Sequence, residues 1–296
     1  MNWAFDIGRI FGIRIRVHYL FLLFVAFLVV QQGIADARQN TSVAPALLLF
    51  ILLLFGFVLL HELGHSLMAR RFGIPTKDIT LWPLGGIARL GRIPETPKIE
   101  LLIAIAGPAV NLVIALLALP FAIAFVPDLW EQTTRLRPTS LLSACIVANV
   151  FMAGFNFIPA FPMDGGRVLR SLLGYRMDFP SATRQAVRVG RLFAFAFILC
   201  GLFTPMRMLI LIGIFILIVG AQEERSVRWR SFLQRVSRDP VVLDEQGNPL
   251  DATFDDPDQA MRDAIRRGDH EAFRRILAQR MAEEAARRGG PPPMGT

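Results

Sequence analysis

The chemistry of this chain starts at five consecutive residues, His61-Glu62-Leu63-Gly64-His65. On a helix, positions i and i+4 share one face, so two imidazoles at that spacing can reach one metal ion. A carboxylate beside the first of them can hold and deprotonate a water molecule, the work of a general base in metal-assisted hydrolysis. The pattern predicts a zinc site with Glu62 as that base. Two histidines alone would read as hydrogen-bonded partners in a helix bundle. A glutamate in the same apolar helix would then have no reason to be there, because charged groups are expensive in that setting.

A catalytic zinc site needs a third protein ligand and an open position. His18 lies at the start of an apolar run and reads as an interfacial polar residue, and His270 lies in a polar tail. The stronger candidate is Asp164, in Asn156-Phe157-Ile158-Pro159-Ala160-Phe161-Pro162-Met163-Asp164-Gly165-Gly166-Arg167. Pro159 and Pro162 stop a regular helix, and the Gly165-Gly166 pair lets backbones approach closely. Together they would hold a carboxylate near the end of the zinc helix. A turn aspartate is the simpler alternative, since Asp-Gly is common in turns; the histidine pair tips the reading to a ligand. Asn156 has two uses: it can donate to the oxyanion of a tetrahedral intermediate or tie helices together. Asn111, in Gly107-Pro108-Ala109-Val110-Asn111, has the same two, and close helix packing through Gly107 is the simpler of them.

These residues must be positioned by membrane helices. The 296-residue chain is 53% apolar with a mean hydropathy of +0.46, too hydrophobic for a soluble domain of this length. The fold class expected is an all-α polytopic membrane protein of about six transmembrane helices. Their limits are placed at 18–33, 44–69, 101–126, 141–159, 190–203 and 205–221. Residues 1–221 then form the membrane domain and 222–296 a small helical, partly disordered tail. His61 precedes Arg70 by about eight residues, so the metal should sit roughly 12 Å inside that end of the helix. The 79–90 stretch, with Gly85-Gly86 between β-formers, predicts a short membrane-surface β-hairpin. Ala35-Asp36-Ala37 looks like a signal-peptidase site, but the region before the apolar core is long for a signal, which favours a retained first helix. Cys145 and Cys200 both lie in apolar runs, where a disulfide framework is not expected.

The formal charge of +8 does not point to nucleic acid. Fifteen Lys and Arg fall in the segments that six spans would place on one side, against four on the other. The positive-inside rule makes the richer side cytoplasmic, and both termini with it. The last two spans could instead be one, since only Thr204-Pro205 and Arg207 interrupt them. Two spans keep the Arg-rich tail inside. In that tail two helices are expected near 257–267 and 270–287, the Gly289-Gly290-Pro291-Pro292-Pro293 end reads as disordered, and 264–277 faintly resembles part of an ankyrin-type repeat.

His-Glu-Leu-Gly-His in a second span, Gly-Pro-Ala-Val-Asn in a third and the aspartate motif after a fourth resemble the site-2 protease family of intramembrane metalloproteases. So do Pro83-Leu84-Gly85-Gly86-Ile87-Ala88-Arg89-Leu90 and the Arg-rich lead into His18. The resemblance covers roughly residues 5–221. It implies one zinc held by His61, His65 and Asp164, with Glu62 as general base and Asn156 as transition-state donor. It also implies a multi-pass plasma-membrane protein whose partners are the lipid bilayer and membrane-spanning protein substrates, cut in regulated intramembrane proteolysis. The aspartate motif is closest in wording to members with paired CBS domains. The tail is too short for that pair, and a PDZ insert is also lacking, so neither form of regulation carries over.

Overall fold

In the computed structural model the described residues are 4–83, 85–91, 94–126 and 140–238, with 261, 264, 267–269 and 271–277 of the tail. The chain divides into two compact units, Met1–Glu224 and Arg225–Thr296.

The first unit opens on two strands, β1 (Ala4–Ile10) and β2 (Ile13–His18). Helices α1 (Tyr19–Gln39) and α2 (Ala44–Arg71) follow, then strands β3 (Thr76–Trp82) and β4 (Gly85–Leu90). The expected 79–90 hairpin is therefore half of a four-stranded sheet of order β1-β2-β3-β4. β2 and β3 pair in parallel, and the outer pairs are antiparallel. The Arg-rich lead into His18, for which no strand was expected, is the other half. Its signal was in Ile13-Arg14-Ile15-Arg16-Val17, which alternates with the period of a half-buried strand: Ile13, Ile15 and Val17 are buried and face the core. Ile13, Ile15, Ile79 and Leu63 form one cluster that seats the sheet on α2. A second cluster of Val17, Phe21, Ile51, Phe55 and Leu81 joins it to both helices.

Helices α3 (Pro97–Phe125), α4 (Leu141–Asn156), α5 (Asp164–Leu173), α6 (Phe179–Phe203) and α7 (Met208–Arg238) complete the architecture. Proline at the first turn starts α2, α3 and α6, where its missing N–H is harmless. Ser140 and Ser143 form a reciprocal cap on α4. Among the described residues α1, α2, α3 and α6 are long and apolar enough to cross a bilayer. The fourth expected span corresponds to the shorter α4, of 16 residues, and the last two correspond to α6 and α7, which break at Thr204–Arg207. So 190–221 is two helices. The prolines read as stopping a regular helix are followed at once by another, α5, which begins at Asp164.

The Ala35-Asp36-Ala37 stretch, which looks like a signal-peptidase site but reads as part of a retained helix, lies inside α1. Asp36 there is buried, and its carboxylate accepts from Gln32 Nε2 (3.0 Å), Thr41 Oγ1 (2.7 Å) and the backbone N–H of Val43 and Ala44 (2.7 Å each). It fastens α1 to the start of α2, a link that cutting after Ala37 would sever. In the tail, Ala264, Phe273 and Ile276 pack together. Most of the two expected tail helices and the Gly-Pro end lie outside the described residues.

Ile79 is fully buried between the sheet and α2. Ile79→Ala should lower stability by about 2–4 kcal/mol, measured by reversible unfolding in mixed micelles. A loss within error of zero would mean that the sheet is not seated on the zinc helix.

Candidate metal centre

Helix α2 turns His61 and His65 to one side, and both are buried. α5 brings Asp164, its first residue, against them. His61 Nε2 and His65 Nε2 are 3.1 Å apart, and Asp164 Oδ2 lies 3.2 Å from the first and 3.1 Å from the second. These three are the one group of potential metal ligands among the described residues. His18 is elsewhere: it caps α1, accepting from the Leu20 N–H through Nδ1 at 3.2 Å, and stacks on Trp82.

The outer nitrogens decide what the inner ones can do. His65 Nδ1 lies 2.7 Å from the carbonyl oxygen of Ile103, which can only accept, so Nδ1 carries the proton. His61 Nδ1 lies 2.5 Å from Asn111 Oδ1 and donates in the same way. In the neutral imidazoles both Nε2 atoms are then bare. Two nitrogen lone pairs and a carboxylate oxygen thus converge with no proton among them, an arrangement that calls for a cation. The separations fit zinc. Ligand bonds of about 2.0–2.2 Å in a tetrahedral shell put neighbouring donors about 3.3 Å apart.

Helix α3 makes this possible in two ways. It supplies both outer acceptors, Ile103 and Asn111. At Gly107 it also leaves a hollow facing both rings: a Cβ there would collide with His65 Nε2 and come within 2.8 Å of His61 Nε2. Asn111, read from sequence as a residue of close helix packing, stands against the His61 ring. It is fully buried and donates through Nδ2 to Asn149 Oδ1 at 2.9 Å, and Asn149 donates to the Cys145 carbonyl at 2.9 Å. This chain fixes Asn111 with its oxygen toward His61, and nothing in the sequence marked Asn149 for that part.

The aspartate motif works as its glycines promised. A Cβ on Gly165 would strike the carbonyl oxygens of Phe157 and Ile158, so only glycine lets α5 start this close to the preceding loop. Glu62 is half-buried, within electrostatic reach of His65, His61 and Asp164, with its carboxylate facing the backbone N–H of Ala88 on β4. Asn156 ends α4 half-buried and donates to the Met152 carbonyl at 3.0 Å. That bond ties its amide to its own helix.

Asn111→Leu would leave the His61 Nδ1–H without an acceptor. Zinc affinity should fall about 10- to 100-fold, measured by competition with a chelator on the purified protein. Unchanged affinity would show that Asn111 does not orient the ring.

Comparison with known proteins agrees with this geometry. The family model described as "Peptidase family M50" matches residues 49–129 and 117–199. A zinc metalloprotease of Methanocaldococcus jannaschii is 35% identical over 255 residues, covering 86% of this chain and 70% of its own length. Stage IV sporulation protein FB of Bacillus subtilis is 30% identical over 144 residues, 48% of this chain and 46% of that protein, so the chain spans about half of it. Among solved structures, the site-2 protease from Methanocaldococcus jannaschii superposes with a TM-score of 0.53 at 32% identity, covering 75% of this chain and 95% of that one. With lone pairs arranged for zinc in an apolar helical bundle and these relatives, the chain belongs to peptidase family M50, the site-2 protease family of membrane zinc metalloproteases.

Proposed function

We propose that the protein is an intramembrane endopeptidase that hydrolyses peptide bonds in or near the transmembrane segments of membrane-anchored proteins, the cutting step of regulated intramembrane proteolysis. His61, His65 and Asp164 hold one zinc, Glu62 is the general base and Asn156 donates to the developing oxyanion. The observation that carries this reading is the convergence of three unprotonated donor atoms beside Glu62, on a helix apolar enough to span a bilayer.

Zinc, when bound, polarises the scissile carbonyl and acidifies water. Glu62 accepts a proton from the attacking water and delivers it to the leaving amine nitrogen. Asn156 would have to exchange its bond to Met152 for one to substrate. A membrane helix hides its carbonyls in its own hydrogen bonds, so the substrate must unwind before it can be cut. The β3–β4 pair offers an extended segment a place to add as a strand: β4 is an edge of the sheet, and its Gly86 backbone lies against Glu62.

Charge asymmetry supports an orientation with both termini cytoplasmic in the plasma membrane. The 222–296 tail would then be a cytoplasmic domain. A reporter fused after Ala221 should read as cytoplasmic, and one near Glu131 as external. The opposite pair of readings would invert the protein and exclude release of substrate fragments into the cytoplasm.

Glu62→Gln should keep one zinc per chain and lose cleavage of a membrane-spanning test substrate in proteoliposomes by at least about 100-fold, since an amide cannot take the proton. Metal analysis and product gels are the readouts. Near-native turnover would remove Glu62 from the mechanism, and zinc persisting after His61 and His65 are both replaced would remove the site itself.

A further inference from the structure

We propose that Arg170 is a positioning residue for the metal centre: it locks the helix that carries Asp164 to the helix that orients the two histidines. The proposal rests on the ligand assignment above and concerns what sets its geometry.

Arg170 lies in α5, six residues or roughly 9 Å along the helix from Asp164. It is 6% exposed, a rare place for a guanidinium. Its Nε donates to Glu100 Oε1 at 3.0 Å, and Nη2 donates to the same oxygen. Nη1 donates to Glu223 Oε1 at 2.5 Å. Glu100 is buried in the first turn of α3, and Glu223 belongs to α7. The guanidinium carbon also stands 4.9 Å from the ring centre of Phe161 and 4.6 Å from that of Phe179. Phe161 is in the loop leading to Asp164, and Phe179 is the first residue of α6. One side chain thus joins the aspartate loop, α5, α3, α6 and α7.

The connection to α3 matters most. Glu100 is one turn before Ile103, whose carbonyl sets the His65 tautomer, and the same helix carries Gly107 and Asn111. The histidines take their orientation from α3, and the carboxylate takes its position from α5. A tetrahedral site tolerates little relative movement of the two. The described contacts between these helices that carry charge run through Glu100, to Arg170 and to Arg167 Nε at 3.9 Å.

Stability alone is a poor account of this cluster. Desolvating buried ions offsets much of their attraction, and apolar replacements of whole buried clusters are often neutral or stabilising. What a planar, multidentate guanidinium adds is geometry, which an ammonium cannot reproduce.

The test measures zinc affinity by chelator competition and the unfolding temperature of the metal-free full-length protein in micelles. Arg170→Lys should weaken zinc binding about 10-fold and move the metal-free unfolding temperature by no more than a few degrees. Glu100→Gln should shift affinity in the same direction. The combined Glu100→Gln, Arg170→Met, Glu223→Gln variant removes the three charges of the cluster together. It should keep metal-free stability while its zinc affinity stays low. Arg191→Lys, at the exposed pair with Glu224, should leave both readouts native. Native zinc affinity in Arg170→Lys, with Asp164→Asn still weakened, would overturn the proposal. So would affinity that follows metal-free stability across the set. Native affinity in Asp164→Asn would instead overturn the ligand assignment, and the proposal with it.

Discussion

Two hydrogen bonds on the far sides of the imidazoles govern this molecule. His61 Nδ1 donates to Asn111 and His65 Nδ1 donates to the Ile103 carbonyl, so both inner nitrogens face Asp164 as lone pairs. Three bare acceptors at van der Waals distance repel one another. The fold keeps them together only because α3 holds the rings from behind and α5 holds the carboxylate in front. The polar chain through Asn111 and Asn149 follows from the same requirement. In an apolar bundle an amide without partners is costly, so each asparagine is satisfied by the next until a backbone carbonyl ends the series.

The lipid environment explains where the remaining polar groups lie. Leu116, Leu117, Ile123 and Phe125 of α3 and Leu192 of α6 point outward, while the buried faces carry small or hydrogen-bonded residues. That inverts the pattern of a soluble bundle and suits a hydrocarbon solvent. Two of the buried acids are ion-paired, Asp78 with Arg89 and Arg16 in the sheet and Glu100 with Arg170 between helices, while Asp36 is held by neutral donors. Each pair sits at a junction between elements, where a fixed register matters more than net stabilisation.

Much of the site was legible because its chemistry is local. The i, i+4 histidines need only a helix, and the glycines after Asp164 announce a close approach whatever the rest of the chain does. The helices α1, α2, α3 and α6 announce themselves by length and apolarity. What escaped the reading was set by tertiary contact. Asn111 looked like packing because its partner lies fifty residues away. Nothing in the sequence sets Arg170 apart from the other arginines counted on the same side, because burial cannot be seen in a motif. The first two strands were obscured by their own arginines, which raise polarity without breaking the period-2 alternation of Ile13, Ile15 and Val17. The helix α5 was hidden by the prolines before it, which end one helix but leave the next free to begin.

The parallel pairing of β2 with β3 has a consequence for biogenesis. The two strands are separated in sequence by α1 and α2, both long enough to cross a bilayer, and they still lie side by side. Strands at one face of a membrane require an even number of crossings between them. The amino-terminal strands therefore remain unpaired on their outer register until the second helix has been threaded and Thr76–Trp82 has emerged on the same face. Formation of the sheet reports that the first helical hairpin has inserted correctly. A chain whose second helix stalled would leave β2 with an open edge, the kind of surface that quality-control machinery binds.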